Sequence, residues 1–436
     1  MMQFSSEALK KYAIAIAVAL AITAALSMIP TNPGTTAKAI ATPEYPDKIR
    51  FDDYDERRNR SEDIDPAFLS SLSDFAFASS SLVLSEKTDK NKLYSPVSLY
   101  MALALAAESA NGRTRDEIVH ALSMPNMAII NQQTAKLFRS LHKHNEIGRL
   151  TIANSLWLDE TVEFKPSFLQ SAAANYYAHS YKADFTSPDT PELISNWLME
   201  NTGGKLGSGP QEIGENQIMA LMNTIYFYDE WTTRFDANKT AQDIFHLANG
   251  STVTSNFMNI TFGSHSFVRR DGYTVSGLGF KNGQSMLFIL PDEGLSPEFI
   301  LSNPTLLNDA VTALSSDDRQ AGQVIFQIPK FNFSSDLNLR SILQKLGISL
   351  AFDMENADFS NLADTKPLFI SGVKQSVTIS IDEIGCEAAA FTKIDYAGAA
   401  PPDGRAEMIL NKPFIFAVTG TAEVPLFIGV INNPQN

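Results

Sequence analysis

From Asp382 to Ala400 the chain runs DEIGCEAAAFTKIDYAGAA, a strand pattern carried in the composition of a loop. Counting in twos from Cys386 puts Cys386, Ala388, Ala390, Thr392, Ile394 and Tyr396 on one side, and Glu387, Ala389, Phe391, Lys393, Asp395 and Ala397 on the other. The first side is free of charge and begins with small residues, whereas the second carries Glu, Lys and Asp. This alternation suits a strand laid into a sheet with one buried and one wet face. Gly385 just before it supplies a hinge, and Pro401-Pro402 just after it cannot continue a central strand. A segment able to exist as exposed loop or as inserted strand is a two-state element, and such elements carry mechanism.

The chain around it is long enough to bury a large core: 436 residues, 44% of them apolar. Its formal net charge of -15 argues against a general nucleic-acid partner. At the N-terminus, Lys10 and Lys11 precede an uncharged run from Tyr12 to Pro30, followed by Ala37-x-Ala39 and Ala39-x-Ala41. Basic, apolar and small-residue segments in that order predict a signal peptide over residues 1–41 and a secreted, extracellular or periplasmic protein. The alternative is a signal-anchor that holds the protein to a membrane through residues 12–30. Residues 42–64, most of whose second half is the charged run FDDYDERRNRSEDI, lack apolar periodicity and are expected to form a flexible acidic linker. With Cys386 as its only cysteine the chain forms no intrachain disulfide, so an exported form relies on its core alone.

From Pro66 onward no Pro/Gly/Ser-rich linker divides the chain and no fixed-period repeat appears, which predicts one domain over residues 65–436. Helical spacing marks Ala67 to Leu84, Pro96 to Ala107, Thr114 to Leu122, Asn131 to His142, Lys165 to Tyr177 and Pro191 to Asn201. Strand patterns occupy Leu150 to Leu158, Ile218 to Tyr228, Thr274 to Phe280, Ser285 to Leu290, Gln323 to Ile328, Val377 to Ile381, Met408 to Thr419 and Pro425 to Ile431. Ser335 to Leu346 is expected to be a late helix. Helices first and strands afterwards point to an α+β fold rather than a doubly wound sheet.

Catalytic motifs are missing from the sequence: there is no G-x-S-x-G elbow, H-E-x-x-H, phosphate-cradling glycine loop or cysteine cluster. His142, His144 and Glu146 are better explained as a solvated helix end, where His142 and Glu146 share a face, than as a metal site. Glu387 beside Cys386 raises rather than lowers a thiol pKa, so Cys386 is expected to act as a small side chain that can be buried. Nothing in the chain calls for a cofactor or a metal.

Several separated blocks resemble the serpin family of protease inhibitors, in the family's order. They are NKLYSPVSLYMALALAAESANGRTRDEI at 91–118, ISNWLMENTGGKL at 194–206, NTIYFYDEWTTRFDANKTAQDIFH at 223–246, MILNKPFIFAV at 408–418 and PLFIGVINNP at 425–434. Glu383-x-Gly385-Cys386-Glu387-Ala388-Ala389-Ala390 resembles the hinge of inhibitory members. The resemblance implies a single-domain α+β serpin fold with three β-sheets, a mostly helical N-terminal part and an exposed reactive-centre loop over residues 383–407. It also implies an inhibitor rather than an enzyme: a monomer that a serine protease, or sometimes a cysteine protease, attacks as substrate and to which that protease becomes covalently linked.

In that scheme Glu383, Gly385, Cys386, Glu387, Ala388, Ala389, Ala390 and Thr392 form the hinge that enters the sheet, and Ser95, Ser98, Asn223, Gln375 and Trp197 lie in the region where the sheet opens. Cys386 stands where inhibitory serpins usually have Thr or Ser, and Gln375 where many have a histidine. Counting from Gly385 places the reactive bond at Ala399-Ala400, with Gly398-Ala399 as the alternative. Small residues there suit an elastase-like or subtilisin-like protease with a small primary pocket. Arg405, beyond the proline pair, is a weaker bait, and a non-inhibitory carrier or binding protein on the same fold is the alternative function.

Overall fold

The computed structural model describes residues 38–59, 63–206, 218–386, 404–420 and 423–435. The apolar run at 12–30 and the predicted reactive bond lie outside the described residues.

The N-terminal half is chiefly helical. Helix Pro66–Leu84 starts where the Asp65 side chain accepts from the Ala67 N–H, with Pro66 in the first turn. Helix Pro96–Ser109 starts at Ser95, whose hydroxyl accepts from the Ser98 N–H, and it is buried almost all round, as expected of a helix apolar on every face. Helices Gly112–Ala121, Met127–Leu141, Pro166–Tyr176 and Thr190–Asn201 complete this part.

The strands, in chain order, begin with β1 Ala39–Ala41, β2 Lys92–Tyr94, β3 Lys143–His144, β4 Arg149–Asp159, β5 Ala178–Ala183 and β6 Met219–Glu230. The middle of the chain supplies β7 Ala241–His246, β8 Thr252–Arg270, β9 Tyr273–Gly279, β10 Ser285–Pro291, β11 Gln320–Pro329 and β12 Phe331–Asn338. The last are β13 Lys374–Ile381, β14 Gly385–Cys386, β15 Gly404–Ile409, β16 Phe414–Thr419 and β17 Pro425–Ile431.

Three hydrogen-bonded sheets result. The first runs β1-β5-β4-β6-β14, with β3 on β4; the second runs β15-β11-β8-β9-β10-β16-β17-β2, with β7 on β8; β12 and β13 form the third. In the first, β4 pairs antiparallel with β6 from Arg149↔Tyr228 to Leu158↔Met219, and parallel with β5. In the third, all of β12 pairs with β13, from Phe331↔Ile381 to Asn338↔Lys374. Two segments far apart in the chain meet beside β2 and β17 of the second sheet: Asn91 Oδ1 accepts from the Asn432 and Asn433 N–H groups at 2.8 and 2.9 Å, which ties block 91–118 to block 425–434. β17 is buried along its whole length, in keeping with its uninterrupted apolar run.

The structure corrects four expectations. Ser335 to Asn338 belongs to strand β12, and only Arg340–Lys345 is helical; Phe331, Phe333 and Ser335 are buried alternately, and the ladder to β13 overrides the local helical spacing. Met408 to Thr419 is two strands, because Asn411 to Pro413 turns the chain between β15 and β16.

The segment after residue 38 is no free linker. β1 pairs with the edge of β5 through Ala39↔Tyr181 and Ala41↔Ser180, so the last residues of the expected signal segment lie in a sheet. Tyr45 packs among Phe138, His142, Tyr177 and His179 with ring centroids 5.6–6.0 Å away, the Phe51 N–H donates to the Glu146 carboxylate, and Tyr54–Asn59 is helical. One aromatic anchor and a three-residue edge strand leave no periodicity to read. Finally, helix Met127–Leu141 ends before His142, and His144 lies in β3, so His142 and Glu146 do not share a helix face.

Candidate functional site: the hinge and the seam beneath it

β6 and β13 lie side by side in space, yet no ladder joins them among the described residues. A cavity of about 20 Å³ opens at this seam, lined by Tyr226 and Phe227 of β6, Thr378, Ile379 and Ser380 of β13, and Lys205. A further strand entering here would find an edge on each side.

The predicted hinge sits at the mouth of the seam. After β13 the chain turns, with the Asp382 carboxylate accepting from the Ile384 and Gly385 N–H groups and the Asp382 N–H donating to the Gly385 carbonyl at 3.0 Å. β14 then pairs antiparallel with the end of β6, Gly385 opposite Glu230 and Cys386 opposite Asp229. A Cβ at Gly385 would lie 2.2 Å from the Asp229 carbonyl oxygen, so this approach requires glycine. The loop therefore leaves the fold already paired as the first rung of a strand on β6.

Glu383 anchors the same turn. Its carboxylate accepts from Lys330 Nζ and from Thr240 Oγ1, both at 2.7 Å, and its carbonyl from the Phe235 N–H at 2.9 Å. Burial pushes the Glu383 pKa up, but the hydrogen bonds from Lys330 and Thr240 more than offset it and hold the group below its ordinary value. Trp231 locks the turn from the β6 side: its indole N–H donates to the Asp382 carbonyl at 2.9 Å, its backbone N–H to the Ile384 carbonyl at 2.8 Å, and its ring stacks on Phe280.

Lower down, a chain of buried polar groups crosses from β13 to β4. Gln375 on β13 holds the backbone of Ser95; the Ser95 hydroxyl donates to the Leu426 carbonyl at 2.7 Å and accepts from the Ser98 N–H at 3.4 Å. The Ser98 hydroxyl donates to Asn223 Oδ1 on β6, Asn223 Nδ2 donates to Asn154 Oδ1 on β4 at 2.6 Å, and Asn154 Nδ2 donates to the Tyr176 carbonyl at 2.8 Å. The buried end of helix Pro96–Ser109 thus bridges the strands that flank the seam, and these bonds must rearrange if β6 and β13 separate.

The structure accordingly brings together Ser95, Ser98, Asn223 and Gln375 in one network, and places Glu383, Gly385 and Cys386 at the top of the seam. Trp197 belongs to neither group: it is buried in helix Thr190–Asn201 and hydrogen-bonds Tyr181 on β5, at the other edge of the sheet. Trp231 is the tryptophan at the hinge. Both tryptophans lie in family-like blocks, and only the fold tells which one contacts the hinge. Sequence reasoning also passed over Asn154, Thr240 and Lys330, single polar residues within strand or loop text.

Glu387, Ala388, Ala389, Ala390, Thr392, Gly398, Ala399 and Ala400 lie outside the described residues. The expected loop end at residue 407 is too late, since Gly404–Ile409 is strand β15, paired in parallel with β11. Arg405 sits within that strand opposite Gln323, so its backbone is committed to the β11 ladder although its side chain stays exposed beside Glu407.

Comparison with known proteins decides the family. The family model described as Serpin (serine protease inhibitor) matches residues 70–434. The chain belongs to the serpin family. Among its curated relatives, a serine protease inhibitor of Mus musculus is 29% identical over 83% of this chain and 88% of the mouse protein. Serpin-Z7 of Hordeum vulgare is 30% identical over 80% of this chain and 91% of the barley protein. Among solved structures, the thermophilic serpin tengpin in its native state superposes with a TM-score of 0.78 and 28% identity, covering 92% of this chain and all of that one. Human thyroxine-binding globulin bound to its hormone has a TM-score of 0.75 and 27% identity, over 84% and 98% of the two chains. Serpins are typically serine protease inhibitors rather than enzymes, and this serpin has the family's α+β fold.

Proposed function

We propose that this serpin is an inhibitory member that acts as a suicide substrate of a serine protease with a small primary pocket, elastase-like or subtilisin-like. The observation that carries this reading is the hinge: Gly385 and Cys386 are already paired to β6 at the mouth of a seam where β6 and β13 share no ladder. A protease that cuts at Ala399-Ala400, or at Gly398-Ala399, becomes acylated, and the freed segment zips down between the two strands. The uncharged side Cys386, Ala388, Ala390, Thr392 can enter a closing sheet without burying an unpaired charge, which lets insertion outrun hydrolysis of the acyl-enzyme.

About a dozen new backbone hydrogen bonds at roughly 1 kcal/mol net each would release on the order of 10 kcal/mol, enough to distort a bound active site. The segment order at the N-terminus favours export, with residues 12–30 as the alternative membrane anchor.

A carrier function is the second reading, favoured by the likeness to thyroxine-binding globulin. The seam cavity of about 20 Å³ is far below the several hundred Å³ of a small-molecule site, and the Ala-rich hinge is built for insertion. Incubation with elastase, subtilisin and trypsin followed by denaturing gels separates the readings. A complex that survives SDS with elastase or subtilisin is the expected result, and clean cleavage with no complex sinks it. Mass spectrometry of the released C-terminal peptide locates the bond.

A further inference from the structure

The segment that carries the predicted bond leaves the fold at one foot and returns at another. Its first foot is the hinge, where Gly385 and Cys386 pair with β6; its second is Gly404, the first residue of β15. Ala399 comes fourteen residues after Gly385, whereas Ala400 comes only four before Gly404. At about 3.5 Å per residue the bond therefore stays within roughly 14 Å of the second foot. Two of the three residues between are Pro401 and Pro402, whose rings fix φ. The near foot governs where a protease meets the bond.

That foot is a tight seat. Gly404 stands opposite Gly322 in the parallel ladder of β15 with β11, and a Cβ on Gly322 would lie 1.9 Å from the Gly404 carbonyl oxygen. A Cβ on Gly404 would lie 2.7 Å from the Ala321 carbonyl oxygen and 3.2 Å from Cζ of Phe267, which is buried on β8. A pair of glycines is what lets the returning chain come this close.

One residue further on, Arg269 of β8 closes the seat. Its Nη2 donates to the Arg405 carbonyl at 2.6 Å, and its guanidinium lies over the Phe267 ring, 5.5 Å from the centroid. Phe267 is the last β8 residue in the ladder to β11, and β8 and β15 are not neighbours in the sheet. Arg269 lies two residues past that ladder, so a side chain joins β8 to β15 where no strand pairing does. The acids along these strands are taken by other cations: Glu407 pairs with Arg405, and Asp309 and Asp318 pair with Arg270. A charged donor aligned by an aromatic face is a firm hold on a carbonyl.

Resting on the inhibitory reading above, we propose that Arg269 is a positioning residue of this inhibitor: by clamping the Arg405 carbonyl it fixes the foot from which the reactive bond is presented to the protease. A foot held at Gly404 and Arg405 leaves the protease little chain to order as it takes the bond, whereas a loose foot adds that ordering to every encounter. Insertion starts at the other foot, on β6, so the clamp bears on attack and leaves the race between insertion and hydrolysis unchanged.

The test measures attack as the second-order rate at which intact protein disappears in elastase or subtilisin. Complex and cleaved product are counted together, so the clamp is tested whether or not a complex forms. Arg269→Ala should lower this rate roughly fivefold, the effect of one or two residues left to be ordered, and keep the ratio of complex to cleaved product at the wild-type value. Arg269→Lys keeps a cationic donor without the planar stack and should recover part of the rate. Amide hydrogen exchange at residues 404–406 should quicken in Arg269→Ala. An unchanged attack rate or unchanged exchange at 404–406 overturns the clamp. A slower rate with a shifted ratio also overturns it, because it marks Arg269 as a structural residue. Wild-type protein cut in the loop without any complex defeats the inhibitory reading, and the variant rates still decide the clamp. No attack on the wild-type loop by either protease overturns both.

Discussion

Gln375 holds Ser95 by two hydrogen bonds at once: its Oε1 accepts from the Ser95 N–H at 2.9 Å and its Nε2 donates to the Ser95 carbonyl at 2.9 Å. Both residues are buried, and the pair joins β13 to the helix that also reaches β6 through Ser98. Gln375→Ala would strand the buried Ser95 N–H, while the Ser95 carbonyl still accepts from the Leu99 N–H at 3.2 Å, and a loss of about 1–3 kcal/mol in native-state stability is expected. Urea unfolding of the intact protein measures it. Gln375→His can satisfy only one of the two groups in either tautomer, so it should fall between wild type and alanine and make stability depend on pH near 6.5. A neutral Gln375→Ala variant would show that the polar chain does not hold the seam.

An inward charge in the entering strand has no partner in the sheet. Ala390→Arg should therefore convert the inhibitor into a substrate, with cleavage retained and the SDS-stable complex lost. The control is Ala389→Arg on the wet side, which should leave the ratio of complex to cleaved product near wild type. Equal effects of the two changes would refute the assignment of faces.

Glu383→Gln keeps an acceptor for Thr240 and loses the ion pair with Lys330, whose side chain is 36% exposed. A loss of about 1 kcal/mol is expected, read as a lower melting temperature of the uncleaved form. Because the folded pKa of Glu383 lies below its ordinary 4.5, its contribution is present above that value and disappears as pH falls through the folded pKa. The difference between wild type and variant should accordingly shrink in acid.

His142 is a titratable ring packed under Tyr45. Burial, with smaller contributions from His144, Arg149 and Lys143, lowers its pKa from 6.5 to about 4, and its Nδ1 has no hydrogen-bond partner among the described residues. The folded state favours the neutral imidazole, so native stability falls as pH drops from about 6.5 towards 4. His142→Phe should remove most of this loss while keeping the packing under Tyr45, whereas Tyr45→Ala should expose the cluster and cost about 2–4 kcal/mol. Urea midpoints at pH 5 and pH 7.5 for the two variants check both expectations.

Much of the fold was legible because its signals are local. Pro425–Ile431 reads as a strand from seven residues of text, and Ser95-Pro96 marks a helix start by capping chemistry alone. Among the strands missed, β7 and β8 are mixed with polar residues, so β8 takes its identity from the ladders to β9 and β11, and β7 from its ladder to β8.

What the sequence by itself determined is the chemistry of the moving segment: a glycine hinge, an uncharged face and a proline stop, each a property of neighbouring residues in one stretch of chain. Only the tertiary structure decided where that segment would go. The seam between β6 and β13, the clasp of Gln375 on Ser95 and the hold of Trp231 on the Asp382 carbonyl all join residues far apart in the chain. Such contacts exist only once the core has packed, because burial turns ordinary polar side chains into obligatory hydrogen-bond partners or costly charges.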